Sequence, residues 1–186
     1  CLLHEKPFAG VNGSGKHDNW SMSTDTGLNL FKPGSTPSQN ARFLLFLAAF
    51  IKGMDEYQEF MRCTVANPGN DHRRGALEAP PAILSIFLGD ELTAIVESII
   101  QGTEYVEQGK KTLSIGVDVM PAIPQDNTDR NRTSPLAFTG NKFEFRMLGS
   151  SQSIASPNVV FNTIMAEELS RFADILERSE NFTTAI

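Results

Sequence analysis

The chain has 186 residues, enough to form one sizeable hydrophobic core. It carries 16 lysines and arginines against 22 acidic residues and has no basic tract, which disfavours nucleic-acid binding. Its two cysteines, Cys1 and Cys63, allow at most one bridge, and no apolar stretch approaches the roughly 20 residues that span a bilayer. We therefore expect a cytoplasmic protein that binds neither nucleic acid nor membranes.

The first part of the chain predicts a strand that leads into a glycine-rich loop. Residues 1–8 are strand-like, and the glycines that follow allow the close backbone approach of a loop that grips a ligand. His17 follows this loop directly and is a candidate metal ligand through a neutral ring nitrogen.

The same loop contains most of a phosphate-binding P-loop, Gly10-x4-Gly15-Lys16. His17, however, occupies the place of the Ser or Thr that binds Mg²⁺ in that motif. The polar residues 18–37 also cannot form the long apolar helix that should follow the lysine. We reject the P-loop interpretation.

The next segment predicts a long helix. Thr36 is placed as its N-cap, Pro37 as its first residue and Gln39 as in a capping box, and the helix should run to about Val65. Asn67-Pro68-Gly69-Asn70 ends it and leads into a charged stretch with two arginines and a carboxylate. The residues predicted on its buried side are Phe43, Leu47, Phe50, Ile51, Met54 and Met61.

The second half predicts short strands and two more helices, which with the first helix make an α+β fold with an antiparallel sheet flanked by helices. Gly140-Asn141 is expected to be the two-residue turn of a hairpin. The last helix should bury Val160, Ile164, Phe172, Ile175 and Leu176. Asp90 is expected to cap the first of these two helices, and Gly102 to stop it. The predicted elements are strands at 82–88, 113–119, 135–139 and 142–148, and helices from Asp90 to about Gln101 and from Ser156 to about Arg178.

The strand at 142–148 alternates between an apolar and a charged face. The apolar face carries Phe143, Phe145 and Met147. The charged face carries Lys142, Glu144 and Arg146, a row that suits an anionic substrate and a metal. A solvated surface strand is the alternative interpretation of this segment alone.

Four segments, in order along the chain, resemble the motifs of a glutamine synthetase catalytic domain. Asn-Trp-Ser after the histidine and Asn-Arg-Thr-Ser-Pro resemble the type III branch of that family. The four segments are Asn12-Gly13-Ser14-Gly15-Lys16-His17, Gly75-Ala76-Leu77-Glu78-Ala79-Pro80-Pro81, Asn131-Arg132-Thr133-Ser134-Pro135 and Lys142-Phe143-Glu144-Phe145-Arg146.

The resemblance implies a role for each matching residue. It makes His17 and Glu144 metal ligands, and Glu78 the carboxylate of a flap that shields the intermediate. It places Arg132 at the phosphoryl group, as both a catalytic and an ATP-binding residue. The residues it implies for glutamate are Asn12, Gly13, Arg73 and Arg146, and the further ATP-binding residues are Asn19, Ser21 and Lys142. At position 137, where better-known branches have a phosphate-facing arginine, this chain has Ala137.

The resemblance also implies the reaction and its partners. The enzyme would be a glutamate–ammonia ligase that makes L-glutamine from L-glutamate, ammonia and ATP through γ-glutamyl phosphate, with Mg²⁺ or Mn²⁺, and would assemble into a large ring-shaped homo-oligomer. The alternatives are another ATP-dependent glutamate–amine ligase and a catalytically silent relative. We expect residues 1–186 to be part of one catalytic domain, inactive alone, whose N-terminal domain and C-terminal remainder lie outside this sequence.

Overall fold

The computed structural model of the chain describes residues 10, 13–73, 84–106, 112–113, 123–124 and 134–180. It has two compact units, one formed by residues 1–87 and 131–186 and the other by residues 88–130. The predicted strand at residues 1–8 and most of the strand predicted at 113–119 lie outside the described residues.

The first unit contains a four-stranded sheet in the order β1-β6-β5-β2. The strands are β1 (Gly15–Trp20), β2 (Ile86–Phe87), β5 (Leu136–Phe138) and β6 (Phe143–Gly149). β6 pairs antiparallel with β1 and β5, while β2 pairs parallel with β5. The α+β prediction is confirmed. The sheet is mixed rather than purely antiparallel, because β5 runs in the same direction as its neighbour β2.

The predicted hairpin is confirmed. Phe138 on β5 lies opposite Phe143 on β6, and the Thr139 N–H donates to the Lys142 carbonyl at 2.8 Å. Gly140 has a φ of +85°, which a residue with a Cβ rarely adopts. This turn fixes the register of β6, and with it the face to which each of its side chains points.

Two helices of this unit, α1 (Ala41–Cys63) and α3 (Ala155–Arg178), cover one face of the sheet. Phe50 on α1 stacks on Phe143 with ring centroids 3.6 Å apart. Phe161 on α3 contacts Phe145 edge to face at 5.7 Å. Trp20 also stacks on Phe161, so the apolar face of β6 forms the floor of an aromatic core.

The start of α1 differs from the prediction. Residues Pro37–Gln39 form a short 3-10 helix, and Asn40 caps α1 by accepting a hydrogen bond from the Phe43 N–H. Thr36 makes no capping bond. A second 3-10 helix, Pro68–Arg73, follows α1. The predicted buried residues of α1 are buried except Ile51, which is half-buried.

The last helix spans nearly the predicted residues, but fewer of its apolar side chains are buried than the sequence pattern indicated. Ile164 is buried, Val160, Phe172 and Leu176 are half-buried, and Ile175 is 55% exposed. The fully buried Glu168 lies instead on the inner face, where it meets cations described below.

The second unit contains α2 (Asp90–Gln101), together with β3 (Thr112–Leu113) and β4 (Ile123–Pro124), which pair antiparallel. The predicted end of α2 is confirmed: Gly102 adopts a left-handed conformation with a φ of +64°. Asp90 is the first residue of the helix, and Gly89, not Asp90, is the N-cap. Among the described helices of the chain, none is long and apolar enough to cross a membrane.

The rejection of a P-loop is also confirmed. Lys16 lies within β1, whereas a P-loop lysine begins a helix whose N-terminus binds phosphate.

Candidate active site

The pairing of β1 with β6 shifts by one residue at His17. Lys16 pairs with Leu148 but Asp18 pairs with Phe145, so two residues of β6 lie opposite the single residue His17. Such a β-bulge bends the strand and redirects side chains. At this bulge the His17 Nδ1 atom lies 2.9 Å from Glu144 Oε1.

The other oxygen of Glu144 is held by Arg146. Glu144 Oε2 accepts hydrogen bonds from Arg146 Nε at 3.0 Å and from Nη2 at 2.8 Å. Burial alone would raise the pKa of Glu144, but the hydrogen bonds from Arg146 and His17 outweigh it and lower the pKa. The carboxylate is therefore ionised at neutral pH and fixed in orientation.

The His17 nitrogen and the Glu144 oxygen are suited to neighbouring positions around one divalent cation. Adjacent ligands in an octahedral shell with a radius of about 2.1 Å lie about 3 Å apart, and these two atoms are 2.9 Å apart. Imidazole and carboxylate are acceptable to both Mg²⁺ and Mn²⁺. In the described part of the chain no three His, Cys, Asp or Glu residues converge on one point, so this pair alone would provide only part of a coordination shell.

Three predicted ATP-binding residues lie along the same region of the sheet. Asn19 is exposed on β1 and lies opposite Glu144, which places both side chains on one face. Ser21 donates to the Asn141 carbonyl at 2.7 Å and accepts from Asn29 Nδ2 at 2.9 Å. Lys142 follows Asn141 and is half-buried. Ser21 thus connects the end of β1 to the hairpin turn that carries Lys142.

The remaining predicted site residues are only partly visible. Gly13 lies two residues before β1 and is half-buried. The Arg73 backbone ends the second 3-10 helix, while its side chain lies outside what the structure describes. The other three, Asn12, Glu78 and Arg132, lie outside the described residues, so the roles predicted for them stay predictions.

Ala137 lies directly opposite Glu144 on β5 and is 1% exposed. Opposed residues of an antiparallel pair share a face of the sheet. Position 137, where the resemblance implies a phosphate-facing arginine in better-known branches, therefore lies on the same face of the sheet as Glu144.

Two buried polar residues near the site were not singled out from the sequence. Asp18 is 3% exposed, and its Oδ2 has no hydrogen-bond partner among the described residues. Burial raises the pKa of Asp18, and a hydrogen bond with Asn158 opposes that effect. Asn70 is fully buried and bonds to β6. Both residue types are common in turns and strand ends, so no local sequence pattern distinguished them.

Three curated relatives match the chain. A type-3 glutamine synthetase of Dictyostelium discoideum is 60% identical over 169 residues, or 91% of this chain. A glutamine synthetase of Bacteroides fragilis is 50% identical over 174 residues, or 92% of the chain. A third, from Butyrivibrio fibrisolvens, is 56% identical over 144 residues, or 77%. The chain is homologous to a segment of glutamine synthetases.

This homology confirms the resemblance drawn from the four motifs, including that to the type III branch. The chain spans less than a quarter of the length of each of these glutamine synthetases. No family model matches the chain.

Proposed function

We propose that the chain is part of the catalytic domain of a glutamine synthetase, which ligates ammonia to L-glutamate at the expense of ATP through γ-glutamyl phosphate. The observation that supports this most is the contact of His17 and Arg146 with opposite oxygens of Glu144. It occurs within a chain that is 50–60% identical to enzymes named for this activity.

The site chemistry is consistent with the first half of that reaction. A carboxylate oxygen of glutamate must approach the γ-phosphate of ATP although both are anionic, so cations have to offset their repulsion. His17 and Glu144 would hold one Mg²⁺ or Mn²⁺, which would neutralise charge on the phosphoryl group. Arg146, Arg132 and Lys142 would supply fixed positive charge without any proton transfer.

Arg146 has two functions in this proposal. A guanidinium group has five N–H donors in one plane, and two of the Arg146 nitrogens already contact Glu144 Oε2. Like Arg73, it would also bind a carboxylate of glutamate. One residue would thereby contact both a metal ligand and the substrate.

The second half-reaction requires protection from water, because an acyl phosphate hydrolyses if it is exposed. Glu78 would close over the intermediate while ammonia attacks, and Asn12 and Gly13 would hold the glutamate. Asn19 and Ser21 would contact the nucleotide. The resemblance implies each of these roles.

The experiment that tests the proposal is ADP release by the complete gene product from ATP and glutamate, with and without ammonia. We expect turnover that needs ammonia and is lost in Glu144→Ala. Turnover with another amine instead of ammonia would favour the other ligase, and a folded protein without turnover would favour the silent relative.

We also propose that the complete protein self-associates into a ring-shaped homo-oligomer. Large apolar side chains at and after the end of α2 are more than half exposed, namely Ile99, Ile100 and Val106, and such side chains together favour association. Light scattering on the complete gene product should give a mass several times that of one chain; a monomeric mass would exclude the ring.

A further inference from the structure

Asn70 makes the most buried side-chain hydrogen bonds near the site. Its side chain is fully buried within the second 3-10 helix. The amide nitrogen donates to the Val65 carbonyl at 3.0 Å and to the Met147 carbonyl at 2.9 Å, and lies 3.4 Å from Gln152 Oε1. An amide nitrogen has two hydrogens, so the two shorter bonds are the strong ones. Since both acceptors are carbonyls, the orientation of the amide is settled.

These bonds join three parts of the fold. Val65 follows the end of α1, Met147 lies on β6, and Asn70 itself belongs to the 3-10 helix between them. Gln152 reinforces the junction, since its Oε1 also accepts from the Gly149 N–H at 2.7 Å. Removing the amide would take away the hydrogen bonds that it donates to two carbonyls inside the protein, which is more disruptive than losing a surface hydrogen bond.

The junction joins the two elements that carry the arginines proposed to bind glutamate. Arg73 is three residues after Asn70 and ends the same 3-10 helix. Met147, which accepts the shortest bond, directly follows Arg146 on β6. The two arginines therefore belong to two elements that the Asn70 amide connects.

We infer that Asn70 is a positioning residue that sets the spacing between the helix of Arg73 and the strand of Arg146, and thereby the affinity for glutamate. The inference rests on the proposed function, since it takes both arginines as glutamate ligands. Asn70 does not touch the substrate itself. Replacing Asn70 should weaken the binding of glutamate equally in the ground state and the transition state.

The test compares Asn70→Ala with Asn40→Ala in the complete gene product. Asn40 is a matched control: its amide nitrogen also donates to two backbone carbonyls, those of Lys32 and Pro33, on elements without candidate site residues. We expect Asn70→Ala to raise the KM for glutamate roughly tenfold. The KM for ATP, and kcat at saturating glutamate, should stay within about twofold of the wild-type values. Asn40→Ala should lower the melting temperature but change none of the three constants.

A folded Asn70→Ala with an unchanged KM for glutamate would overturn the inference, as would an equal rise in Asn40→Ala. If Asn70→Ala does not fold, Asn70→Ser carries the same test, because a hydroxyl keeps one donor and should give a smaller rise. Wild-type protein without ammonia-dependent turnover would instead refute the proposed function, so the two failures are distinguishable.

Discussion

His17 on β1 and Glu144 on β6 meet across the pair of strands, with Nδ1 and Oε1 2.9 Å apart, although they lie 127 positions apart in sequence. The imidazole is nearly half exposed, whereas the Glu144 side chain is 20% exposed. The pair is therefore open to solvent on the histidine side and anchored in protein, through Arg146, on the carboxylate side.

This arrangement predicts that Glu144→Gln impairs metal use far more than folding. The amide keeps the size of the side chain but loses the charge that a divalent cation needs. We expect the Mg²⁺ concentration for half-maximal turnover to rise roughly a hundredfold or more, with little change in the melting temperature. Glu177→Gln, an exposed residue at the end of α3, is the control. Equal Mg²⁺ dependence in the two variants would remove Glu144 from the metal site.

Arg146→Lys should raise the KM for glutamate roughly tenfold. Lysine keeps the charge but lacks the planar fork through which Arg146 contacts Glu144 and, in our proposal, the substrate. Initial rates at varied glutamate measure the effect, and Arg178→Lys, on an 83% exposed side chain, is the control. An unaltered KM for glutamate would show that Arg146 binds Glu144 but not the substrate.

The buried Glu168 predicts a structural role for Arg171. Glu168 is fully buried and contacts Lys52 at 2.7 Å and Arg171 at 2.8 Å, and Arg171 also bonds Glu56 on α1. Arg171→Met keeps the apolar stem but removes one of the cations that compensate the buried carboxylate. We expect the melting temperature to fall by several degrees, whereas Arg178→Met should leave it unchanged. Equal melting temperatures would show that Lys52 alone suffices.

The same network predicts a loss of stability in acid. Hydrogen bonds from Arg171 and then Lys52 lower the pKa of Glu56 from 4.5 to about 2. A carboxylate with a lowered pKa in the folded state contributes stability that is present above pH 4.5 and is lost as the pH falls through about 2. In Arg171→Met this part of the acid destabilisation should shrink. Thermal unfolding of both proteins between neutral pH and pH 2 measures the difference, and parallel curves would contradict it.

For Asp18 we expect the opposite pH dependence of stability. Burial raises the pKa of Asp18 above 3.8, so protonation favours the folded state and the charged form opposes it at neutral pH. We expect Asp18→Asn to raise the melting temperature at pH 7, with the gain disappearing as the pH falls below 3.8. Asp25→Asn in an exposed loop is the control. A lower melting temperature of Asp18→Asn at pH 7 would show that the carboxylate is bound there as an anion.

Gly53 should not tolerate a methyl group. In an isolated helix Gly→Ala stabilises by about 1 kcal/mol. Here a Cβ at Gly53 would lie 2.5 Å from Ile164 Cγ2 and 3.0 Å from Glu168 Cγ, so these side chains or the backbone of α1 or α3 would have to shift. We expect Gly53→Ala to lower the free energy of unfolding by about 1–3 kcal/mol.

Denaturant titration measures this change. The double variant Gly53→Ala/Ile164→Ala should be more stable than the two single changes predict when added, because the second change removes the atom that clashes. Additive effects would show that the two positions are not in conflict.

The sequence by itself determined the hairpin and the faces of β6. Gly140-Asn141 is a turn of only two residues, and strict alternation then assigns Phe143 and Phe145 to the core and Glu144 to the opposite face. The long apolar pattern determined α1, and Gly102 the end of α2. Motifs with fixed spacing also identified the family, because they do not depend on long-range packing.

Only the tertiary structure decided what these residues meet. The contact of His17 with Glu144 depends on the pairing of two strands far apart in sequence, and no local propensity encodes that pairing. Burial of Glu168 and exposure of Ile175 follow from where α1 crosses α3, since a helix pattern shows a periodic face but not how much of it a neighbour covers. Likewise the sequence indicates only a turn at Asn70. Its side chain is buried and joins two elements because β6 passes within hydrogen-bonding distance of it.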